Sequence, residues 1–420
     1  MKSEIKQRID QLNNGEIPDG YKKTEFGVFP FDWITDKKLK DLGVFGKGRG
    51  IPGDKMQPEG VPCVGYGDIY MKYNHFHFEK AQSFVDEETA NDSQLIKKGT
   101  VLFTGTGETA DEIGKCVCYN GNEDIYAGGD IITFVPETVS PLFLAYQQYQ
   151  GFSLKKKASF GQGHSVVHIQ KENLEKLNVA YPPSSQEQSK ITEILMKWDE
   201  AIELQEQYTH ILENRKRYIM KSVLAPKTDW HCEKLGKISN MYAGGTPSTE
   251  IAEYWNGDIP WIQSGLIQNN CIDIDDIDRR ITEKGLNSSS TAWIRKDSVL
   301  VAITGATCAN IAFLKCDATA NQSVISITTD DLAPLFLYYY LQSVRNDLLS
   351  LQNGSAQGGL TLKYLENFDV SFPDFAKQNK LANVLFAVDK EIELHKKKQN
   401  MLNNQRKALQ QYLLNGIVRV

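Results

Sequence analysis

The sequence DEAIELQEQ at residues 199–207 is similar to DKEIELHKK at residues 389–397, so one motif occurs twice in the chain. Around both copies, one set of positions recurs at alternating spacings of three and four, which is the pattern of an amphipathic helix that packs along a partner helix. Both sets are apolar at their ends and polar in the middle, and this favours a fixed register. The repeat predicts two long helices, residues 181–226 and 372–420, packed as a coiled coil.

The interface of this helix pair is predicted from the apolar positions of the two sets, which are Leu195, Trp198, Ile202, Leu212, Ile219, Leu385, Val388, Ile392, Leu402 and Leu409. Between residues 186 and 206 the first helix carries six acidic residues and two lysines, whereas residues 397–414 of the second carry four basic residues and no acidic ones. Only an antiparallel pair brings these two stretches together. The alternative is two independent surface helices with solvated charges. Helices of about 38 residues are roughly 57 Å long.

The segments outside the helices also repeat, in the same order. GVPCVGYGDIY (residues 60–70) corresponds to DIPWIQSGLIQ (residues 258–268), and KKGTVLFTGTGETADEIGKC (residues 97–116) corresponds to RKDSVLVAITGATCANIAFLKC (residues 295–316). Short β-branched runs bounded by Gly, Asn and Asp predict strands and turns. We therefore predict an α+β fold in which two similar mixed α/β domains, residues 1–180 and 227–371, are joined by the two long antiparallel helices with an approximate twofold relation.

The composition is that of a folded protein with two domains. The chain has 420 residues, 41% hydrophobic and 24% charged, and its seven scattered cysteines indicate a reducing compartment without a disulfide framework. No stretch resembles a signal peptide or a membrane span, so we expect a cytoplasmic protein that does not bind a membrane. The net charge of −6 neither indicates nor excludes nucleic-acid binding, because the distribution of charge matters more than its sum. We expect no metal site.

The chain resembles one family in three features. These are the ordered duplication, the starts of the long helices at YPPSSQEQSKITEIL (residues 181–195) and FPDFAKQNKLANVL (residues 372–385), and motifs such as GDIPWIQSG (residues 257–265) and SVLVAITGAT (residues 298–307). This family is the specificity (S) subunit of type I restriction-modification systems, and the resemblance covers essentially the whole chain. It implies a sequence-specific DNA-recognition subunit that is not an enzyme, in which each domain recognises one half of a bipartite asymmetric site and the helices fix the gap between the halves.

The same resemblance implies the partners. They are double-stranded DNA, two methyltransferase (M) subunits and restriction (R) subunits, and S-adenosylmethionine, ATP and Mg²⁺ are expected in the partner subunits, with no cofactor in this chain. The alternative hypothesis is a non-enzymatic structural adaptor whose duplicated domains bind protein or glycan. The restriction-modification hypothesis requires DNA affinity that falls steeply with salt, and the adaptor hypothesis does not.

Three pairs of loops are the candidate DNA contacts. The first pair is the glycine-rich loop with Lys47, Arg49 and Lys55, and its counterpart with Tyr242 and Thr246; glycines allow close approach to a phosphate, and the Arg fork suits a phosphate or guanine. The second is the turn after a buried strand, with Thr104, Thr106, Glu108 and Thr109 in one domain and Thr304, Thr307 and Asn310 in the other. The third contains Lys155, Lys156, Lys157, Gln162 and His164, with Gln357 in the other domain. For each loop the alternative is an ordinary solvated turn.

Catalytic motifs are not supported. The stretch TGTGETADEIGKC (residues 104–116) does not fit a phosphate-binding loop. Thr109 stands where that motif requires glycine, and Cys116 stands where it requires Ser or Thr. The histidines do not form the H-E-x-x-H arrangement of a metalloprotease. We expect catalysis to reside in partner subunits.

Overall fold

The computed structural model describes residues 3–73, 76–163, 165–350 and 359–420. They form two compact units, one made of Met1–Glu206 with Lys398–Val420 and the other of Gln207–Lys397. The α-helices are α1 Ser3–Asn13, α2 Tyr66–Met71, α3 Glu87–Asn91, α4 Pro141–Gln147, α5 Gly151–Phe160, α6 Lys171–Leu174, α7 Ser185–Val223, α8 Glu283–Asn287, α9 Pro334–Ser343, α10 Arg345–Ser350, α11 Leu362–Glu366 and α12 Phe375–Leu414.

The first unit is built on a five-stranded mixed sheet in the order β4-β13-β9-β11-β6, beside a four-stranded sheet in the order β7-β5-β12-β8. Three strand pairs, β1-β2, β3-β15 and β10-β14, complete it. The strands are β1 Tyr21–Thr24, β2 Gly27–Pro30, β3 Ile34–Lys38, β4 Gly43–Lys47, β5 Val61–Val64, β6 His77–Phe78, β7 Ser83–Val85, β8 Gln94–Ile96, β9 Val101–Thr104, β10 Thr106–Gly107, β11 Cys116–Tyr119, β12 Ile125–Ala127, β13 Ile131–Pro136, β14 Val167–His168 and β15 Asn178–Tyr181.

The second unit repeats this plan. Its five-stranded sheet has the order β17-β24-β21-β22-β19, its second sheet has the order β20-β18-β23, and β16 pairs with β25. The strands are β16 His231–Lys234, β17 Asn240–Ala243, β18 Trp255–Ile262, β19 Cys271–Ile272, β20 Arg280–Ile281, β21 Val299–Ala302, β22 Ile311–Leu314, β23 Thr319–Ala320, β24 Val324–Thr328 and β25 Asp369–Phe372. In both five-stranded sheets only the last pair, β11-β6 or β22-β19, is parallel. The predicted duplication of a mixed domain is confirmed.

The central strands have continuous apolar sequences because both of their faces are covered. All residues of β9 and β11, and all of β21, are buried. Helices α4 and α9 pack on β11 and β22 respectively. Each begins with Pro141 or Pro334 in the first turn, where a missing N–H costs nothing. Their aromatic side chains are buried and belong to the core.

The two long helices run antiparallel within each unit, as the charge pattern predicts. In the first unit Arg406 Nε lies 2.8 Å from Asp199 Oδ1, and Gln399 Nε2 donates to Glu206 Oε1 at 2.8 Å. Residues that increase in number along α7 therefore face residues that decrease along α12. In the second unit Lys396 pairs with Glu213 at 2.6 Å. The ten predicted interface residues are all buried or half-buried.

Two glutamines attach the start of each long helix to its sheet domain. Gln188 Oε1 accepts from the N–H of Ser140 at 2.7 Å, and its Nε2 donates to the carbonyl of Pro182 at 2.8 Å. Gln378, the equivalent residue of the second long helix, makes the corresponding bonds to the N–H of Ala333 and the carbonyl of Pro373. Each amide thus satisfies two backbone groups at the junction between sheet domain and helix. This explains why a Pro followed by a Gln marks both helix starts.

None of the helices in the described ranges is both long and apolar enough to cross a membrane.

Candidate nucleic-acid interface

Parts of the three predicted loops of the first unit meet at one end of the five-stranded sheet. Backbone hydrogen bonds join them in sequence: Gly129 N–H to Gly50 O at 3.1 Å, Gly105 N–H to Asp130 O at 2.7 Å, and Ile169 N–H to Gly105 O at 2.9 Å. We call residues 47–50, 104–109, 127–130 and 165–169 loop cluster 1. Loops that are far apart in the sequence are thereby brought to a single surface.

The second unit forms the equivalent surface. Gly245 N–H donates to Ala320 O at 2.9 Å, Ile303 N–H to Ser323 O at 3.0 Å, and Leu360 N–H to Ile303 O at 3.0 Å. Residues 242–246, 303–307, 320–323 and 359–361 are loop cluster 2. The described parts of the same three pairs of loops therefore lie together in both units.

Glycine is required in the first loop of each cluster by close backbone packing. A Cβ on Gly48 would lie 1.9 Å from the carbonyl oxygen of Gly128, and one on Gly244 would lie 2.3 Å from that of Ala320. No other residue fits these positions without moving the neighbouring strand. The glycines thus hold the loop against the sheet end, which leaves the charged side chains between them free to point outward.

Most of the predicted contact residues are accessible. Those that are exposed are Lys47, Arg49, Lys55, Glu108, Thr109, Lys155, Lys156, Gln162, Tyr242 and Thr304, and those that are half-buried are Thr246 and Thr307. In cluster 2, Tyr242 donates its hydroxyl to the carbonyl of Ser290, and Thr246 bonds Gln322. Cluster 1 therefore presents cations and carboxylates, whereas cluster 2 presents hydroxyl and amide groups.

Two of the predicted threonines support the turn from inside. Thr104 is fully buried and its hydroxyl lies 2.8 Å from the Tyr70 hydroxyl. Thr106 is also buried, with its hydroxyl 3.1 Å from Nδ1 of His168. Their side chains are engaged by neighbours, so the prediction that they contact DNA does not fit their burial. They shape the turn that displays Glu108 and Thr109.

Lys157 and Asn310 also depart from the prediction of a DNA contact. Lys157 is 1% exposed, and its Nζ donates to the carbonyl of Gly114 at 2.8 Å beneath the turn. Asn310 is buried; its Nδ2 donates to Ile267 O at 3.0 Å and its Oδ1 accepts from Arg345 Nε at 3.1 Å. Both side chains stabilise loops from below. Three consecutive lysines look alike in the sequence, which therefore does not show that the third faces the core.

Lys155 and Lys156 are exposed on α5, and they line a cleft away from cluster 1. Phe26, Tyr149 and Lys407 line the same cleft. Two further candidates, His164 and Gln357, lie outside the described residues.

The buried Lys157 predicts a measurable pH dependence. Burial lowers the pKa of Lys157, against the opposing effect of Cys116. Between that lowered pKa and the value of about 10.4 in the unfolded chain, the unfolded state binds more protons, so stability from this residue rises with pH. The melting temperature of the native chain, relative to that of Lys157→Met, should therefore rise from pH 7 to pH 10. Thermal unfolding at a series of pH values checks this, with exposed Lys156→Met as the matched control; a constant difference would contradict it.

Sequence reasoning missed one residue in cluster 1 and two beside it. His168 is exposed and sits on β14, paired with the turn. Tyr66 and Met71, on the short helix α2, are 41% and 81% exposed. They line a cleft of about 610 Å³ with Gly50 and Asp130 of cluster 1. Their exposure is visible only in the structure, where an exposed aromatic and an exposed Met on one short helix favour a contact surface over a core.

Across the part of the chain that the structure describes, no group of three or more His, Cys, Asp or Glu side chains could hold a metal ion.

Two copies of one sheet domain, each with a polar loop cluster at the same sheet end and each attached to antiparallel segments of the long helices, define a duplicated recognition protein. The family model "Type I restriction modification DNA specificity domain" matches the chain twice, at residues 30–214 and 227–404. The chain belongs to this family, and the resemblance seen in the sequence is confirmed. It is a DNA-specificity protein and not a catalytic subunit, and the adaptor hypothesis is not favoured.

Individual relatives agree. The type I restriction enzyme MjaIX specificity subunit of Methanocaldococcus jannaschii is 34% identical over 176 residues, which are 41% of this chain and 40% of that protein. The matched segment thus spans less than half the length of that relative. The MjaVIII specificity subunit of the same organism is 24% identical over 388 residues, 84% of this chain and 86% of that protein. The crystal structure of a type I restriction-modification S subunit from M. genitalium superposes with a TM-score of 0.58 at 17% identity, covering 91% of this chain and 96% of that one, which supports the fold.

Proposed function

We propose that the two units each recognise one half of a bipartite, asymmetric site in double-stranded DNA, with loop cluster 1 on one half and loop cluster 2 on the other. The observation that carries this proposal is the pair of equivalent loop clusters built on the same sheet end from different side chains. Equivalent positions explain why there are two half-sites. Different side chains explain why the halves differ in sequence, because base identity is distinguished by the donor and acceptor pattern of each contact.

The chemistry of cluster 1 suits both phosphates and base edges. Arg49 and Lys47 lie exposed on a loop held against the sheet, so their cations can reach DNA without ordering the backbone first. Glu108, on the adjoining turn, can accept from the amino group of cytosine, and the Arg fork matches guanine. Phosphate contacts position the domain, and the base contacts give it specificity.

The proposal is tested by purifying the chain with its methyltransferase partner and determining the methylated DNA motif in a host genome. We expect two short conserved blocks of different sequence separated by an unspecified spacer. The affinity for such a site should fall steeply with salt, with a slope of about 0.9 per phosphate neutralised. A continuous palindromic motif, or binding insensitive to salt, would overturn the proposal.

Arg49→Ala is expected to weaken binding to the specific site by about 1–3 kcal/mol and to lower the salt slope by about one, because it removes a cation from cluster 1. Its matched control is Lys98→Ala: Lys98 is exposed before the start of β9, whereas the turn of cluster 1 follows the end of that strand. Fluorescence anisotropy over a salt series measures both. Equal losses for the two variants would show that cluster 1 is not the contact surface.

The long helices carry a second repeated feature, which supports the proposal that two methyltransferase subunits bind. Leu204 and Ile211 on α7 are 58% and 60% exposed, and Leu394 and Met401, at the equivalent positions of α12, are 66% and 60% exposed. Their spacing of seven places each pair on one face of its helix. Two equivalent exposed apolar stripes suit two copies of one partner, and S-adenosylmethionine chemistry would then reside in those partners, as would ATP and Mg²⁺ chemistry in restriction subunits.

Leu204→Glu and Leu394→Glu should each reduce the number of bound methyltransferase subunits from two to one, because a charge at the centre of an apolar contact is left without a partner. The controls are His210→Glu and Asn400→Glu, which are equivalent exposed positions on a neighbouring helix face. Native mass spectrometry of the co-expressed complex counts the subunits. The stripe assignment fails if both sets of variants retain two subunits.

A further inference from the structure

Three elements of the first unit are tied together by one buried polar group. The hydroxyl of Tyr146, on α4, donates to Asp199 Oδ2 on α7 at 2.7 Å, and Arg406 Nε, on α12, donates to Asp199 Oδ1 at 2.8 Å. Asp199 therefore bonds the sheet domain with one oxygen and the opposite long helix with the other. We call Tyr146, Asp199 and Arg406 anchor triad 1.

The second unit contains the same arrangement with the long helices exchanged. The hydroxyl of Tyr339, on α9, donates to Asp389 Oδ2 on α12 at 2.7 Å, and Lys216 Nζ, on α7, lies 2.6 Å from Asp389 Oδ1. Tyr339, Asp389 and Lys216 are anchor triad 2. Asp199 and Asp389 each begin one copy of the repeated motif, and Lys216 and Arg406 are equivalent in the same alignment. The triads thus follow the internal repeat of the chain.

The tyrosines of both triads are buried, Asp199 is buried as well, and Asp389 is half-buried. Tyr146 and Tyr339 are fully buried, and Asp199 is 5% exposed. Burial, reinforced by the adjacent carboxylate, raises the pKa of Tyr146 and of Tyr339 far above the ordinary tyrosine value, so each hydroxyl remains a donor. The Arg406 guanidinium also lies over the Phe76 ring, with Cζ 4.4 Å from its centroid, and donates to Gln410 Oε1 at 2.6 Å.

Directional bonds of this kind restrict motion that apolar packing would allow. An apolar contact between a helix and a sheet domain tolerates small sliding and rotation, whereas a buried carboxylate with two fixed donors loses a charge-assisted bond if either donor shifts. Polar groups in helix interfaces are best attested as determinants of register. Each triad joins a domain to both long helices, which is the connection that sets the angle of that domain on the helix pair.

We propose that the two anchor triads are positioning devices that set the angle of each recognition domain on the helix pair and thereby the length of the unspecified spacer between the two half-sites. This inference rests on the proposed function. One added base pair moves a half-site by about 3.4 Å along the duplex and rotates it by roughly 35°. A domain held by a triad cannot follow that change, and a domain released from it can.

The test uses the full chain in complex with its methyltransferase partner, and duplexes with the native spacer or a spacer one base pair longer or shorter. Tyr146→Phe removes only the donor and keeps the ring in the core, and Tyr339→Phe does the same in triad 2. We expect the preference for the native spacer to fall about tenfold in each, because a hydrogen bond to a charged group is lost. The half-site sequences should stay unchanged.

Two further variants sharpen the test. Arg406→Lys gives triad 1 the cation that triad 2 uses, so the spacer preference should remain within about twofold of the native value, a change of less than about 0.5 kcal/mol. Glu193→Gln alters an exposed carboxylate on the same helix, paired with Lys197, and should leave the preference unchanged.

The inference is overturned if Tyr146→Phe and Tyr339→Phe keep the native spacer preference, or if they lower methylation on all three spacers by the same factor, which is the result of a purely structural role. Failure of the proposed function gives a different result. In that case the native complex itself would show no preference among the three spacers.

Discussion

Leu195→Ala and Leu385→Ala are each expected to lower the free energy of unfolding by about 2–5 kcal/mol, and to do so in different units. These leucines are equivalent in the internal repeat, and both are fully buried. Leu195 packs in the first core with Phe143 and Leu413, and Leu385 packs in the second with Leu337. Each substitution leaves a cavity where a long helix meets its sheet domain, so the helix pair is part of each core.

Hydrogen exchange measured by mass spectrometry locates the two effects. Leu195→Ala should reduce protection in β9, and Leu385→Ala should reduce it in β21, because each substitution opens its own core. The controls are Leu204→Ala and Leu394→Ala, which remove exposed leucines from the same helices and should change stability by less than about 0.5 kcal/mol. Equal loss of protection in both strands for either buried variant would contradict the two-core account.

The helix pair could be predicted in detail because its signal is periodic and duplicated. The ten apolar interface positions follow directly from the spacing of three and four, and opposite charge in two stretches gives the antiparallel direction. The polar positions Lys216 and Arg406 were visible in the same periodic set. Their partners, Asp389 and Asp199, were not, because these aspartates lie beside the set and their buried tyrosine donors come from a separate domain.

The recognition loops could be selected from the sequence, but the accessible side chains within them could not. Thr104 ends β9, Thr106 begins β10 and Glu108 follows β10; the first two are buried and the third is exposed. A tight turn changes direction at every residue, so no period distinguishes inside from outside. Lys157 shows the same difficulty on a helix, since its buried partner is a backbone carbonyl that sequence does not identify.

Exchanging residues 1–180 for the corresponding domain of another family member is expected to change one half of the recognised site and to leave the other half and the methylation reaction intact. The exchanged segment contains all of loop cluster 1 and none of loop cluster 2. Each mismatched base pair in a specific site costs about 1–3 kcal/mol, so methylation of the original site should fall at least about a hundredfold when three or more positions change. The junction at residue 180 precedes α7, so the helix pair and its exposed stripes are retained.

The matched control is the reciprocal exchange of residues 227–371, which contains loop cluster 2. It should change the opposite half-site. A chain that carries both exchanged domains should recognise both new half-sites. A chimaera that no longer binds its methyltransferase would be identified by native mass spectrometry before its specificity is measured.

Whether two separate units recognise two separate half-sites is tested by determining the methylated motif of the residue 1–180 chimaera with single-molecule sequencing. We expect a motif with one new half-site, one original half-site and the original spacer. A motif in which both halves change together, or in which neither changes, would contradict this expectation.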